Sequence, residues 1–335
     1  MNVNICANRY SNIRGNWEDA YIHTIEAFKE LNYSLNISNH IYLDKCPEYV
    51  TRGIVDSEED IYLYNHTYKG DIVDTNFFTG SQTIFLKPTG PTPNYFSLDT
   101  YGYAAASSIT YKRPEFDTYD YTTFFAETVP NIKQQRESKW SDRDDLQFST
   151  NKISVPKNHT LVLGQMPGDE TVTRFSFGHH WEKLKSIVDS IKDKKSLVVK
   201  LHPTLQTESL KNGGWTFYMD TIATWVTQGI TVFYGFESLH DILPYTKVAI
   251  TENSTSGIEC LLYEVPLISY GYPEYHWVTK DLRHLNTLQE YIEDLSWWDQ
   301  DLSKKWVAWY CESYLCYNAE STRARLKSLL EPIYP

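Results

Sequence analysis

The sequence predicts an α/β protein built from two Rossmann-like domains. Its 335 residues suit two domains of ordinary size, each with an ample core. Near the amino terminus, an apolar strand at 2–6, a glycine-containing polar loop and an amphipathic helical pattern at 17–31 have the order that opens a Rossmann-like domain. From residue 160 onward, short apolar runs alternate with helical patterns, which predicts βαβ units on a parallel sheet.

The first domain is predicted to be less regular than the second. After its first helix we expect strands at 34–37, 61–64, 83–87 and 107–111. Residues 87–103 are rich in Pro, Gly and Tyr, and their three prolines exclude a helix there. Rigid loops that follow a strand often carry functional residues, so this loop is a candidate site.

The second domain has the clearer pattern of alternating elements. We expect strands at 160–165, 196–201, 230–234, 248–251 and 266–270. Helices are expected between them at 179–194, 219–227, 237–243 and 258–263, with terminal helices at 287–295 and 297–317. The predicted domains are therefore 1–150, 151–317 and a terminal helix at 318–335 that packs back on the first domain.

Composition narrows the possible functions. The net charge of −12 argues against a protein whose main task is to hold nucleic acid, because such proteins usually carry a basic surplus. The amino terminus lacks the pattern of a secretory signal, and no apolar run reaches membrane-spanning length. These features predict a cytoplasmic protein with no integral membrane segment.

No metal site is predicted. Asp142 and Asp144 have the spacing of an Asp-x-Asp metal motif, but no apolar strand precedes them, so a solvated linker is the better interpretation. His179 and His180 have no third ligand nearby in the sequence. The five cysteines are odd in number and irregular in spacing, which favours free thiols.

The most informative stretch is 247–273, which has the pattern of a strand, a polar turn, a helix and a further strand. The turn ends in Ser254, Thr255, Ser256 and Gly257, so backbone N–H groups and hydroxyls at the helix start could bind an anion such as phosphate. Glu259, in the first helical turn, could accept the hydroxyls of a ribose. An ordinary capped helix is the alternative interpretation.

Three segments of the second domain resemble the capsule polysaccharide biosynthesis family that includes bacterial Kdo transferases. That family carries a strand ending in Gln-x-x-Gly-Asp, a strand ending in Lys-x-His-Pro, and a Ser-rich turn followed by Gly, Glu and a Leu-Leu helix. The matching segments here are LVLGQMPGD at 161–169, LVVKLHP at 197–203 and TENSTSGIECLL at 251–262. The resemblance covers roughly residues 160–275.

This resemblance implies a GT-B fold, in which two Rossmann-like domains face a cleft and C-terminal helices cross back to the first domain. It also implies a glycosyltransferase whose co-substrate is a nucleotide sugar, with UDP or CMP as the nucleotide, and that needs no separate cofactor. The second domain would then bind the donor and the first domain the acceptor. The residues expected to bind the nucleotide sugar are Arg14, Gly15, Gln165, Gly168, Asp169, His202, Ser254, Thr255, Ser256, Gly257 and Glu259.

Further residues are expected to form the sugar pocket and to supply the catalytic groups. Thr89, Gly90, Tyr270 and Tyr272 are expected to line the sugar pocket. The family places a catalytic Asp in a Glu-Asp-Gly segment, but this chain has Pro88-Thr89-Gly90 at the matching position. That departure puts a Kdo donor and the family's retaining mechanism in doubt.

The catalytic candidates that remain are Asp99, Glu127 and His202. The two carboxylates could serve the acceptor side, and the histidine could contact the donor phosphate. The acceptor implied by the resemblance is a surface glycan. A bacteriophage enzyme that glycosylates hydroxymethylated DNA, a sugar-nucleotide 2-epimerase and a non-enzymatic sugar-binding module are the alternatives that the sequence leaves open.

Overall fold

Two six-stranded sheets organise the chain in this computed structural model, which describes residues 2–6, 16–37, 61–65, 82–139, 141, 153–175, 178–211 and 213–330. The strands are β1 (Asn2–Cys6), β2 (Ser34–Ile37), β3 (Ile61–Asn65), β4 (Gln82–Pro88), β5 (Phe96–Asp99), β6 (His159–Leu163), β7 (Leu197–Lys200), β8 (Thr231–Phe233), β9 (Thr246–Thr251), β10 (Leu267–Ser269), β11 (Lys280–Asp281) and β12 (Leu315–Cys316).

Twelve α-helices are seen in these residues, together with shorter 3₁₀ segments. They are α1 (Asn16–Glu30), α2 (Ser108–Tyr111), α3 (Val129–Gln135), α4 (Glu170–Phe175), α5 (His180–Ser190), α6 (Leu205–Lys211), α7 (Trp215–Thr227), α8 (Leu239–Ile242), α9 (Ser256–Leu262), α10 (Leu288–Glu293), α11 (Gln300–Trp309) and α12 (Ala319–Leu330). Two π-helical turns lie at Phe124–Thr128 and Tyr310–Tyr314.

The chain divides into two compact units. The first unit comprises residues 1–112, 137–143 and 308–335, and the second comprises 113–136 and 144–307. Within the described residues, this division differs from the domain limits predicted from the sequence in two places. Residues 113–136 belong with the second unit, and residues 308–317 belong with the first.

The sheet of the first unit has the strand order β12-β5-β4-β3-β1-β2. The strands β4, β3, β1 and β2 are parallel, whereas β5 runs antiparallel to β4 and β12 antiparallel to β5. On this sheet α1 buries Tyr21, Ile25 and Phe28, and α12 contributes Leu326 to the same core. The C-terminal helix is therefore part of the first unit, as the predicted fold class requires.

The sheet of the second unit is entirely parallel, with the strand order β11-β10-β9-β6-β7-β8. Its central strands are buried on both faces, as expected for a parallel sheet covered by helices. Trp181 of α5 and Trp225 of α7 lie fully buried in the core of this unit. The predicted parallel sheet is confirmed.

Two predictions for the first unit were wrong. Residues 107–111 form the short helix α2 rather than a strand, because the carboxylate of Asp99 accepts the backbone N–H of Ser108 at the start of that helix. The loop at 87–103 contains the unpredicted strand β5, which pairs with β4. The N–H of Thr89 closes the connecting turn by donating to the carbonyl of Tyr95 at 3.1 Å.

No helix within the described ranges is both long and apolar enough to cross a membrane. Three of the cysteines, Cys260, Cys311 and Cys316, are buried free thiols. Burial raises the pKa of the Cys316 thiol to about 12, so this side chain behaves as a small apolar group.

Candidate functional site

The carboxyl edge of the parallel sheet brings the three sequence motifs together. Leu163 at the end of β6 pairs with Lys200 of β7 on one side and with Thr251 of β9 on the other. Because the three strands are parallel neighbours, the turns that follow them leave the sheet side by side at the edge where such sheets bind ligands. The predicted convergence of the motifs at one edge is confirmed.

Two of these turns are joined by an amide pair. The side-chain nitrogen of Gln165 donates to the Asn253 side-chain oxygen at 2.9 Å, and the Asn253 backbone N–H donates to Gln165 Oε1 at 3.0 Å. The other end of Asn253 donates from Nδ2 to the carbonyl of Thr171 at 2.9 Å. Both side chains are buried. Gln165 therefore joins the two turns, and its direct contact with the donor stays a prediction.

Asp169 and Gly168 belong to the start of α4. Asp169 Oδ1 accepts hydrogen bonds from the backbone N–H of Thr171 at 2.8 Å and from its hydroxyl at 2.5 Å, which is the geometry of a helix cap. Gly168 is exposed, and a Cβ atom at this position would meet no atom within 4 Å. Packing therefore does not require glycine at position 168.

The polar turn after β9 makes hydrogen bonds within itself. The Ser254 hydroxyl accepts the N–H of Ser256 at 3.2 Å, and the Ser254 carbonyl accepts the N–H of Gly257 at 2.9 Å. The same carbonyl accepts the hydroxyl of Tyr275 at 2.5 Å. A Cβ atom on Gly257 would lie 2.3 Å from the Tyr275 ring, so that ring explains the need for glycine here. Thr255 and its two serine neighbours are half-buried.

Glu259 lies on α9 within electrostatic reach of Lys200. The Lys200 ammonium is buried and donates to the carbonyls of Leu201 at 2.9 Å and Gly235 at 2.8 Å, with Glu237 Oε2 at 3.7 Å. Burial lowers the pKa of Lys200 to about 8, and the two carboxylates oppose this shift. Lys200 was not among the predicted site residues, although a lysine that ends an apolar buried strand is a usable sequence signal.

His202, after β7, is half-buried beside Thr204. Its Nδ1 lies 3.3 Å from the Thr204 backbone nitrogen and 2.9 Å from the Thr204 hydroxyl. Because a backbone N–H can only donate, Nδ1 accepts, and the ring hydrogen of the neutral imidazole lies on Nε2. This tautomer suits donation to an anionic oxygen.

Three interacting side chains that were not predicted as a group from the sequence lie next to these turns. Glu252, directly after β9, is fully buried and contacts both the Nδ1 atom of His180 and the ammonium of Lys183. We call these three residues the Glu252 cluster. His180 Nε2 also accepts the backbone N–H of Gln165 at 3.0 Å, which links the cluster to the turn after β6.

The carboxylate of Asp99 in the first unit is buried and surrounded by donors. It accepts the backbone N–H groups of Tyr101 at 2.7 Å and Ser108 at 3.0 Å, and the hydroxyls of Ser108 at 2.5 Å and Tyr314 at 2.9 Å. Arg325 Nη2 lies 3.8 Å away. Such a carboxylate holds structure together, and this geometry gives no support to Asp99 as a catalytic group.

Thr89 and Gly90 form the turn between β4 and β5. Thr89 is buried, and Gly90 has a φ of +107°. A Cβ atom on Gly90 would lie 2.7 Å from the Cβ of Tyr95 and 2.9 Å from Leu315 Cδ1. Both the backbone conformation and the packing therefore require glycine at position 90.

The remaining predicted residues, one glutamate and two tyrosines, lie in other segments of the second unit. Glu127 is exposed on a π-helical turn of the second unit, rather than in the first unit as expected. Tyr270 lies close to Glu252, and its ring centroid is 6.0 Å from the Lys183 ammonium. Tyr272 is 54% exposed.

Four of the residues singled out in the sequence cannot be assigned an environment. Arg14, Gly15, Asp142 and Asp144 lie outside the described residues. In the part of the chain that is described, no three His, Cys, Asp or Glu side chains are grouped so that they could hold a metal ion.

Comparison with known proteins identifies the family of the chain. A family model described as capsule polysaccharide biosynthesis protein matches residues 97–290, which is more than half of the chain. No curated protein sequence matches significantly.

Solved structures that resemble the chain include two Kdo transferases. KpsC of Thermosulfurimonas dismutans, a beta Kdo 2,7 transferase, is 16% identical with a TM-score of 0.52, and the match covers 98% of each chain. A beta Kdo 2,4 transferase of the same organism is 14% identical with a TM-score of 0.49, covering 88% of this chain and 87% of that one. The first match supports the fold, and the α/β fold class of the GT-B type is confirmed. The chain belongs to the capsule polysaccharide biosynthesis family.

Proposed function

We propose that the protein is a glycosyltransferase that moves a sugar from a UDP- or CMP-activated donor to a surface glycan. Membership of the capsule polysaccharide biosynthesis family and a fold similar to that of a beta Kdo 2,7 transferase support this proposal. Activity without a metal ion and a cytoplasmic location are part of the same proposal. Among the described residues, no specific contact favours the DNA glycosyltransferase or the epimerase alternative.

The observation that carries the proposal is the convergence of three motifs at the carboxyl edge of the parallel sheet. Gln165 and Asn253 join the turns after β6 and β9 through two hydrogen bonds. At the end of β7, the Lys200 ammonium donates to two backbone carbonyls. These hydrogen bonds hold the backbone dipoles at this edge of the sheet in a fixed orientation before a substrate binds. Preorganised dipoles are what the departing nucleotide phosphate of a glycosyl transfer needs.

The donor contacts proposed at this edge come from side chains that remain partly accessible. Ser254, Thr255 and Ser256 would contact the phosphates with their hydroxyls, and Glu259 would accept the ribose hydroxyls. His202 would donate to a phosphate oxygen from Nε2, in agreement with the tautomer that Thr204 selects.

The sugar of the donor would be bound next to the nucleotide. Tyr270 and Tyr272, in the segment that follows β10, are the proposed pocket residues. No base is assigned for the acceptor hydroxyl, because Asp99 is fully buried among its donors.

The activity can be tested by incubating the full chain with UDP- and CMP-sugars, with and without glycan acceptors. We expect nucleotide release that depends on the acceptor, a mass increase of the acceptor by one sugar, and unchanged release in EDTA. Sugar isomerisation without any acceptor would instead identify an epimerase. Activity that is lost in EDTA and restored by magnesium would remove metal independence from the proposal.

Glu259 allows a sharper test of the donor site. Glu259→Ala should weaken nucleotide binding by about 1–3 kcal/mol, because a hydrogen bond to a charged acceptor is lost. The matched control is Glu290→Ala, which removes an exposed carboxylate from α10 of the same unit. Isothermal titration of both variants measures the effect. Equal nucleotide affinity in the two folded variants would remove Glu259 from the donor site.

A further inference from the structure

The imidazole of His180 connects two turns that follow neighbouring strands. Its Nε2 atom accepts the backbone N–H of Gln165 at 3.0 Å, and its Nδ1 atom contacts the Glu252 carboxylate. His180 and Glu252 are both buried. The turn after β6 and the turn after β9 are therefore joined twice, once by this imidazole and once by the amide pair of Gln165 and Asn253.

The hydrogen-bond partners define a single state of the ring. A backbone amide can only donate, so Nε2 must be unprotonated where it meets Gln165. The ring hydrogen then lies on Nδ1 and is donated to the Glu252 carboxylate, which can only accept when ionised. His180 is thus neutral, in the Nδ1–H tautomer. A proton on Nε2 would face the N–H of Gln165 and disrupt the link.

Two glycines make room for this connection. A Cβ atom on Gly164 would lie 2.9 Å from Leu201 Cδ2 and 3.2 Å from Leu184 Cδ2, so its absence lets α5 approach the strand ends. A Cβ atom on Gly271 would lie 2.8 Å from the Glu252 carbonyl, which also accepts the Gly271 N–H at 3.1 Å. Close packing at Gly164 therefore keeps α5, which carries His180, near the strand ends. Close packing at Gly271 fixes the backbone of Glu252.

Lys183 supplies the charge that a buried carboxylate requires. Glu252 is fully buried, and an isolated ionised carboxylate in such a place would be strongly destabilised. Lys183, one turn after His180 on α5, forms an ion pair with it and keeps a quarter of its side chain exposed. Burial and then the nearby Glu252 carboxylate raise the pKa of the Tyr270 hydroxyl. The ion pair with Lys183 thus compensates the buried charge of Glu252, the acceptor for His180.

We propose that His180 is a positioning residue for the donor site, and that it acts by holding the Gln165 turn against the Glu252 turn. This inference rests on the proposed function, because the edge it shapes is the proposed nucleotide-binding edge. Both ring nitrogens of His180 are engaged by the protein, so it does not touch the donor itself. Its effect on binding reaches the donor through the position of the two turns.

Substitutions can separate this role from simple packing. His180→Gln retains an acceptor for the Gln165 N–H and a donor for Glu252, whereas His180→Leu retains neither. The matched control is His159→Leu, which removes another buried histidine at the amino end of β6, where the ring contacts Pro156 and Thr246. Because parallel strands place their carboxyl ends at one edge, His159 is remote from the donor edge within this unit.

The experiment measures UDP and CMP binding to the full-length variants by isothermal titration, with thermal unfolding as the measure of stability. We expect His180→Leu to weaken nucleotide binding at least about tenfold, and His180→Gln to remain within about threefold of the unsubstituted protein. His159→Leu should lower the unfolding temperature and leave nucleotide affinity within about threefold. Long-range ¹H–¹⁵N NMR of the unsubstituted protein should show a neutral His180 ring with its hydrogen on Nδ1.

Unchanged nucleotide affinity in a folded His180→Leu protein would overturn the positioning role. So would a His180→Gln protein as impaired as His180→Leu, or an NMR signature of a hydrogen on Nε2. If His180→Leu does not fold, the His180→Gln and NMR measurements decide the matter. Failure of the unsubstituted protein to bind either nucleotide would overturn the proposed function first and the positioning role with it, so the two failures are distinguishable.

Discussion

At the scale of single residues, the burial of a carboxylate separates structural from functional candidates. Asp99 has no exposed surface and receives hydrogen bonds from two backbone amides and two hydroxyls. Glu259 lies partly exposed at the sheet edge that carries the sequence motifs. The sequence offered both as site residues, and only the folded environment distinguishes them.

Replacing Asp99 tests this distinction. Asp99→Asn should lower the free energy of unfolding by about 3–5 kcal/mol, because a neutral amide cannot replace a buried carboxylate among so many donors. Chemical denaturation measures the loss. Asp117→Asn is the control, since Asp117 is exposed and its ion pair with Arg113 contributes little. A stable Asp99→Asn protein that has lost only turnover would return Asp99 to the catalytic candidates.

Gly257 gives a second prediction at this scale. A Cβ atom would lie 2.3 Å from the Tyr275 ring, so Gly257→Ala should cost about 1–3 kcal/mol by overpacking. Gly168→Ala is the matched control, because its added methyl group meets no atom within 4 Å. Denaturant titration of both variants should show a loss for position 257 alone. Equal stability of the two variants would mean that the Tyr275 ring moves away easily.

At the scale of elements, the sequence predicts what local pattern determines. The strands β6, β7 and β9 were predicted because strands buried on both faces leave continuous apolar runs. Strand β5 was missed because its pairing with β4 depends on the turn at Gly90. The helix α2 was predicted as a strand because its start is determined by Asp99, nine residues earlier in the chain.

The candidate site, too, was predictable only where a local sequence pattern determines it. The motif segments were found because each follows an apolar strand, and their convergence followed from the parallel topology. The His180 link was missed because its partners lie 15 and 72 residues away in the sequence. Lys200 was missed because the hydrogen bond from its ammonium to Gly235 crosses to the turn after β8, 35 residues later. Contacts between residues so far apart in the sequence can be identified only once the pairing of the strands is known.

The start of β6 leads to a prediction about pH. His159 is buried there, and burial lowers the pKa of its imidazole. Below about pH 6.5, the ordinary value for His, the unfolded chain binds a proton that the folded chain resists. The contribution of His159 to stability is therefore lost as the pH falls through this window, and it is constant above it.

Thermal unfolding between about pH 5.5 and 7.5 checks this sign. The unfolding temperature should fall toward the acid end, and His159→Gln should reduce that fall. Part of the fall should persist, because burial also lowers the pKa of His276. The exposed His284 provides the control substitution, His284→Gln. A steeper fall in His159→Gln than in the unsubstituted protein would contradict the assignment.

At the scale of the whole molecule, each unit has its own hydrophobic core. The first unit buries residues of α1 and α12 against its mixed sheet, and the second buries residues of α5 and α7 against its parallel sheet. Chains with separate cores often depart from two-state unfolding. We therefore expect calorimetry to resolve two transitions. Leu326→Ala, in the first core, should identify one of them by a loss of about 2–5 kcal/mol.

Nucleotide binding should then raise the temperature of the other unfolding transition, which belongs to the second unit. If the donor binds at the edge of the parallel sheet, UDP or CMP at 100 times its dissociation constant adds about 2.7 kcal/mol to the stability of the second unit. Trp181 and Trp225 are buried in the core of this unit, so their fluorescence should change when it unfolds. The transition identified by Leu326→Ala should remain in place when nucleotide is added. If nucleotide shifts only the transition that Leu326→Ala identifies, the donor binds the first unit. The donor and acceptor roles proposed for the two units would then have to be exchanged.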